Sequence, residues 1–529
     1  MDLNALSDAL AQVFLDWKVL ATIVGAAAYG IFMGAVPGLT ATMAVALMIP
    51  LTYAAPPVFA FAGVVTLVAC AIFAGDIPTV LLRMPGTPSS AAYADDAYAL
   101  ACAGRARETL RAALAYSVVG GLFGATLLIF LARPLAQIAV EFTYFEYFWL
   151  YVLGLSCAAI VARGSPAKGA LALGIGLLLS TVGLGTVYST ARFTFDSDDL
   201  KAGIEFIPAM IGLIGVSEIL RNLVLPPDEL EAVTAASASS PRGRRAESTE
   251  SAELAPSPAG DAAGARPPET LRSRIFRRKA HTLRSSSIGS VIGMLPGAGA
   301  DIAAWVALAA SKRFSRTPRE YGRGSLDGVS DATAANNAAV AGAWVPALVL
   351  GIPGDSITAL VISVLYMKKI VPGPDIFATP EKRTLVYSIY VLFIVANLVL
   401  IPIGLLAIRA GTRLVCLPRR VLLPCILLFT IVGAYAYTGS ASDVWLMLAL
   451  GVVGFALERH RVPLGPVVLG LVLGNPLEEK LIQGLVASGG SPFGFFSRPL
   501  AAVLGITTIA MWVAPLVARL RRPRRNARA

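Results

Sequence analysis

Apolar runs long enough to cross a bilayer follow one another along almost the whole chain. This succession constrains the fold more than any single motif, because a membrane-spanning helix needs roughly 20 predominantly apolar residues. Such runs fall near 18–36, 57–75, 111–133, 144–162, 168–188 and 203–224. They return near 285–310, 338–371 (interrupted), 384–408, 421–437, 442–457, 463–475 and 499–518. Composition agrees: of 529 residues 56% are hydrophobic and only 15% charged, with a mean hydropathy of +0.70. Soluble domains carry about 25% charged residues and could not hide this much apolar surface from water. Disordered and nucleic-acid-coating proteins are excluded with them, despite a net charge of +11. The sequence predicts an all-α polytopic membrane protein with about 11–13 hydrophobic segments. The first run is not a cleavable signal, since Asp2, Asp8 and Asp16 precede it and no basic residue comes before Lys18.

Residue counts narrow the chemistry further. His281 and His460 are the two histidines, which argues against multi-His metal sites and His-centred proton relays. Cys70, Cys102, Cys157, Cys416 and Cys425 form no CxxC pair and read as small hydrophobes rather than a disulfide frame. GAGAD at Gly297–Asp301 resembles a nucleotide-binding loop only loosely, with no alternating β/α pattern around it.

Residues 226–283, rich in Ala, Ser, Pro, Glu and Arg, lack apolar periodicity and read as a disordered linker. The linker divides the chain into membrane regions 1–225 and 284–529. Lys and Arg concentrate in 242–284 and in the tail 519–528. Both stretches flank membrane spans, so the positive-inside rule places them in the cytoplasm. Nucleic-acid binding is not expected.

The two membrane regions repeat one another. Gly30, Gly34 and Gly38, with Pro37, match Gly289, Gly293 and Gly297, with Pro296, in the common pattern GxxxGxxPG. A second Pro-Gly follows in each, Pro85-Gly86 and Pro353-Gly354. No Lys or Arg lies between Val19 and Leu82, whereas the corresponding second stretch carries Lys312, Arg313, Arg316, Arg319 and Arg323. That asymmetry favours an inverted second copy, with one loop external and the other cytoplasmic. Arg105, Arg107 and Arg111 fit this assignment; Lys368, Lys369, Lys382 and Arg383 fit it less well.

Proline removes a backbone donor and glycine permits turns, so a helix stops at each Pro-Gly. Freed backbone groups cannot face lipid and must be buried or line a watery cavity. A helix restarting there aims free N–H groups and a positive dipole end at that cavity, which suits a carboxylate. Inverted repeats with broken helices are the build of secondary transporters. Beside the breaks stand Thr40, Thr42, Thr87, Ser89, Ser90, Asn336, Asn337, Asp355, Ser356 and Thr358. Hard oxygen donors of this kind suit Na⁺ and substrate hydroxyls, and Thr40, Asn336, Asn337 and Asp355 are the Na⁺ candidates. Intramembrane charges are few: Asp76, Arg83, Asp301, Asp331 and Asp355. Arg83 suits either a substrate carboxylate or an internal pair with Asp76 on the same helix face. Asp301, Asp331 and Asp355 are expected at water-exposed helix ends.

GAVPGLTA at Gly34, GMLPGAGADIAA at Gly293, AANNAAVAGAWVPALVLGIPG at Ala334–Gly354 and VPGPDIF at Val371 together resemble the large membrane subunit of the tripartite tricarboxylate transporters. The resemblance covers about residues 20–500 outside the linker. It implies a bacterial inner-membrane permease driven by an ion gradient, Na⁺ or H⁺, with no other cofactor and no enzymatic activity. It also implies a small membrane subunit and a periplasmic solute-binding protein as partners. The residues carried over are Pro37, Gly38 and Thr40; Pro85, Gly86 and Thr87; Pro296, Gly297 and Gly299; Asn336 and Asn337; Pro353 and Gly354. Departures from the family pattern occur at Asp76, Arg83, Thr333 and Asp95-Asp96. Rival readings are an autonomous ion-coupled transporter, a membrane-embedded enzyme using Asp76, Asp301 or Asp355, and a scaffold that transports nothing.

Overall fold

The computed structural model describes residues 3–36, 39–161, 166–185, 190–224, 271–296, 299–415 and 438–520, with scattered positions from 424 to 435. Pro37, Gly38, Gly297, residues 226–270 of the linker, Cys416, Cys425 and the tail from 521 lie outside the described residues. Asp301 is described only as a helical position.

The chain is built of helices. The first half provides α1 (Leu3–Phe14), α2 (Trp17–Ala35), α3 (Ala41–Thr52), α4 (Pro57–Ala74), α5 (Asp76–Leu82), α6 (Ala94–Leu100), α7 (Ala106–Ala139), α8 (Tyr144–Val161) and α9 (Pro166–Ser180). The second half provides α10 (Lys279–Gly293), α11 (Gly299–Phe314), α12 (Leu326–Leu350), α13 (Ser356–Met367), α14 (Pro380–Val415), α15 (Ala441–Arg459), α16 (Leu464–Ala487) and α17 (Pro499–Leu520). Among the described residues the strands are Gly183–Leu184 and Ala191–Arg192, paired antiparallel. Among the described residues six helical stretches are long and apolar enough to cross a membrane: Trp17–Ala35, Pro57–Leu82, Ser90–Ala139, Leu326–Leu350, Pro380–Gly411 and Ala441–Arg459. Shorter apolar helices join them, so the chain is an all-α polytopic membrane protein. The linker's last residues differ from the disorder expected of them. Leu271–Arg277 and the start of α10 are helical, because arginines there pair with carboxylates of α12.

The glycine pattern has a direct packing reason. A Cβ on Gly30 or Gly34 of α2 would collide with the Leu67 or Ala71 carbonyl oxygen of α4. Gly289 and Gly293 of α10 meet the carbonyls of Ala335 and Ala339 of α12 in the same way. Each GxxxG therefore lets two backbones touch, as small residues do in membrane helix pairs.

Helix directions follow from the same contacts. Gly120 and Gly124 of α7 press on Ala334 and Ala338, so α7 and α12 run parallel. Arg107 and Arg111 share a cavity with Leu405 and Arg409, while Arg133 and Ala136 share another with Arg383 and Tyr387, so α7 and α14 run antiparallel. Gly404 meets Phe73 and Gly411 meets Ile77, which makes α14 parallel to α4 and α5. The pair α2–α4 thus runs opposite to the pair α10–α12.

Two anchors fix the ends of this assembly. At the arginine-rich end, one Asp96 oxygen accepts from the backbone N–H groups of Gly322, Gly324 and Ser325 at 2.7, 2.9 and 2.8 Å. At the other end, Lys368 Nζ donates to the carbonyls of Thr52, Tyr53 and Ala55 at 2.6, 2.7 and 2.6 Å. Lys368 is thus a lysine committed to capping α3, which accounts for a charge that fitted poorly as an orientation signal. Asp96→Ala strands three donors beside α12, two of them glycine amides. Its expected cost is about 3 kcal/mol or more, read as a lowered unfolding midpoint in detergent.

Candidate functional site

Each half contains two breaks, and the second break is built identically in both. α5 ends at Arg83, which is left-handed at φ 57°, and the N–H groups of Arg83 and Met84 both turn back to the Pro78 carbonyl. α12 ends at Gly351, left-handed at φ 68°, and Gly351 and Ile352 turn back to Pro346 in the same manner. Pro85-Gly86 and Pro353-Gly354 follow. Beyond them, Thr87 and Ser90 exchange backbone-to-hydroxyl bonds at 3.2 Å each way. Asp355 and Thr358 form the matching box, with the Thr358 N–H donating to Asp355 at 2.8 Å and the Asp355 N–H donating to Thr358 Oγ1 at 2.9 Å. Pro78 with Pro346, Arg83 with Gly351, Thr87 with Asp355 and Ser90 with Thr358 are therefore equivalent positions.

The first breaks are also paired. After α2, Val36 turns extended, and Thr40 caps α3 by accepting from the Met43 N–H at 3.1 Å. After α10, the chain passes Pro296 and enters α11 at Gly299, left-handed at φ 57°. A Cβ on Gly299 would lie 2.7 Å from the Asp355 Cβ, and one on Gly354 would lie 2.6 Å from the Gly293 carbonyl oxygen. The two breaks of the second half thus touch each other. Gly154 of α8 faces both Pro296 and Ile352. Across the halves the arrangement is reciprocal: α3 packs on α13, and α11 packs on the short turn Ser90–Tyr93.

Asn336 and Asn337 are buried within α12. The Asn336 side-chain oxygen has no hydrogen-bond partner among the described residues. Gly354 rests on Ala343, two turns and roughly 10 Å along the helix from Asn336. The asparagines, Pro296, Gly299, Gly354, Asp355 and Ser356 therefore share one region of the second half. A buried amide oxygen left without a partner there is an acceptor that the fold alone does not use.

Several charges sit differently from expectation. Arg83 does not pair with Asp76. The helix stops before Arg83, whose left-handed backbone turns it out of the helix face toward Asp95, at 2.6 Å and largely exposed. Asp76 instead accepts from the Tyr93 hydroxyl, both groups being buried. Asp331 is not at a water-exposed helix end. It is fully buried and accepts from Ser311 at 2.6 Å and from Arg278 and Arg284 at 3.3 Å each. Asp355, half-buried, does stand at a helix end as a cap. Among cysteines, Cys70 is buried, Cys157 half-buried and Cys102 exposed, all free. Thr79 was not foreseen; its hydroxyl lies 2.7 Å from the Gly75 carbonyl oxygen and 2.9 Å from Ser90 Oγ, tying α5 to the break. Arg133, at a cavity of about 260 Å³ with Asp375 and Arg383, was also missed, because nothing local distinguishes it. Among the described residues no group of three or more His, Cys, Asp or Glu side chains could hold a metal ion.

The profile of the tripartite tricarboxylate transporter TctA family matches residues 20–469. A relative from Agrobacterium vitis, named only as an uncharacterized 52.8 kDa protein in the TAR-I ttuC' 3'region, is 32% identical over 98% of this chain and 96% of its own length. A second from the same organism, an uncharacterized protein in the TAR-II ttuC' 3'region, is 33% identical over 43% of this chain and 94% of its own length. No solved structure matches. With its paired helix breaks and a match spanning most of its length, the chain belongs to the tripartite tricarboxylate transporter TctA family.

Proposed function

We propose that the chain is the large permease subunit of an ion-coupled secondary transporter in the bacterial inner membrane. It imports a small carboxylate handed over by a periplasmic binding protein and works with a small membrane subunit. The observation that carries this reading is the pair of identically bonded Pro-Gly breaks in helix pairs that run in opposite directions. Such a pair is what two inverted repeats produce, and in transporters the broken helices meet near the bilayer midplane. The arginine-rich end is then cytoplasmic, with the linker and C-terminus.

In this reading the helices restarting at Thr40, Thr87, Gly299 and Ser356 turn positive ends toward the substrate carboxylate. Pro85, Gly86, Pro296, Pro353 and Gly354 hold the chain in the turns that free those N–H groups; Pro37, Gly38 and Gly297 belong to the same sequence motif. Asn336, Asn337, Thr40 and Asp355 supply oxygens to a coupling Na⁺; a proton is the other candidate for the coupling ion. Arg83 takes a substrate carboxylate in exchange for Asp95, since an exposed ion pair holds by only about 0–1 kcal/mol. Arg83→Gly therefore keeps the fold, glycine being what the equivalent position 351 already has. It is expected to weaken carboxylate affinity roughly tenfold in uptake assays, the loss of one charged hydrogen-bonding partner.

Reconstitution tests the whole proposal. Purified chain with its small subunit, in liposomes, should take up a radiolabelled carboxylate under an inward Na⁺ or proton gradient, and do so faster with the binding protein added. No gradient-driven uptake of any carboxylate by folded protein would overturn it. Equal uptake without the binding protein would favour an autonomous carrier.

A further inference from the structure

At the arginine-rich end, α7 and α14 enclose a cavity of about 470 Å³ lined by Arg107, Arg111, Leu405, Ile408 and Arg409. None of its lining residues belongs to a helix break, and the transport proposed above does not use it. Arg107, Arg111 and Arg409, all exposed, line it together, and none of the three has a carboxylate or carbonyl acceptor among the described residues. Glu108, the carboxylate nearest along α7, is already held by Arg105 through both oxygens at 2.8 and 2.9 Å. Like charges gathered in one place repel one another, so an anion seated among them is favoured.

The apolar half of the cavity says which anion. Leu405 is 39% exposed, and along the same face of α14 stand Ile401 and Leu398, 40% and 49% exposed. Residues 398, 401 and 405 share one side of the helix, so an outward apolar track leads from the arginines into the bilayer. A small dissolved anion would use the guanidinium groups and leave the track empty. An anionic phospholipid fills both, with its phosphodiester on the arginines and an acyl chain along the leucines. We propose that the cavity between α7 and α14 is a binding site for an anionic phospholipid of the leaflet at the arginine-rich end. Basic pockets between helices on that side of a membrane are suited to such headgroups.

The test is equilibrium binding of a fluorescent short-chain phosphatidylglycerol to the full chain in neutral detergent, with the phosphatidylcholine analogue alongside. Each arginine near a lipid surface contributes about fivefold in affinity. The triple variant Arg107→Gln/Arg111→Gln/Arg409→Gln should therefore bind phosphatidylglycerol on the order of a hundredfold more weakly. Its phosphatidylcholine binding should stay unchanged. Arg409→Gln alone, a single exposed change on α14, should lose about fivefold and serves if the triple variant fails to fold. Displacement of the lipid probe by millimolar inorganic phosphate or by a free tricarboxylate would assign the site to a soluble anion and overturn the proposal. So would equal affinity for the two lipids, or unchanged affinity in Arg409→Gln.

Discussion

Asn336→Leu is expected to abolish carboxylate uptake while leaving the protein as stable as before, or more so. The two effects separate because of one atom. The Asn336 side-chain oxygen is buried without a hydrogen-bond partner among the described residues, and an unsatisfied buried acceptor costs about 1–3 kcal/mol. Leucine keeps the branching and heavy-atom count of asparagine and removes the stranded acceptor, so the unfolding midpoint should hold or rise. A structural asparagine behaves in the opposite way, its loss lowering stability. If the oxygen instead serves a cation or substrate, uptake falls by a factor of a hundred or more, the loss expected when a charged or hydroxyl ligand loses a buried partner. Lower stability with retained uptake would assign Asn336 to packing alone.

Gly293→Val should prevent folding, and Gly34→Val should do the same in the other half. A Cβ at either position collides with a carbonyl oxygen of the facing helix, of Ala339 or of Ala71, and backbone cannot swing aside as a side chain can. The helices must separate, at a cost of about 3 kcal/mol or more. Since Gly293 also carries the carbonyl against which Gly354 rests, separation there disrupts both breaks of the second half. Gly25→Ala on the same helix as Gly34 is the control. Nothing lies within 4 Å of its Cβ, and alanine favours helix by about 1 kcal/mol. Size-exclusion profiles of detergent-extracted protein distinguish the outcomes. A monodisperse Gly293→Val peak would show that the helix pair tolerates a wider gap than its contacts allow.

The broken helices were legible in the sequence because proline and glycine act on their own neighbours. Pro37, Pro85, Pro296 and Pro353 change the backbone wherever they stand, so their spacing exposed a repeat before any contact was known. Partners far apart in sequence were not legible. The pairing expected between Arg83 and Asp76 assumed a helix that continues, whereas it stops at Leu82 and Arg83 turns away. Asp331 looked like a helix-end carboxylate because one arginine that buries it, Arg278, lies in a stretch whose composition read as linker, and the other, Arg284, just beyond its end. Lys368 looked like an orientation signal until its three carbonyl partners placed it. Asp96 gave no local sign that it holds the turn before α12. Loop charge gave only a faint sign of direction, whereas the relative directions of α2, α4, α10 and α12 follow from glycines that touch named carbonyls.

Cysteine protection at the breaks tests whether substrate binds there. In a chain with its native cysteines replaced, Ser356→Cys and Thr40→Cys are each labelled with a small thiol reagent, with and without saturating carboxylate and the coupling ion. Substrate is expected to slow labelling at both positions, while a cysteine at exposed Ser491 reacts at an unchanged rate. Labelling at Ser356→Cys and Thr40→Cys that ignores a carboxylate the protein demonstrably transports would contradict it, and would move the substrate site away from the breaks.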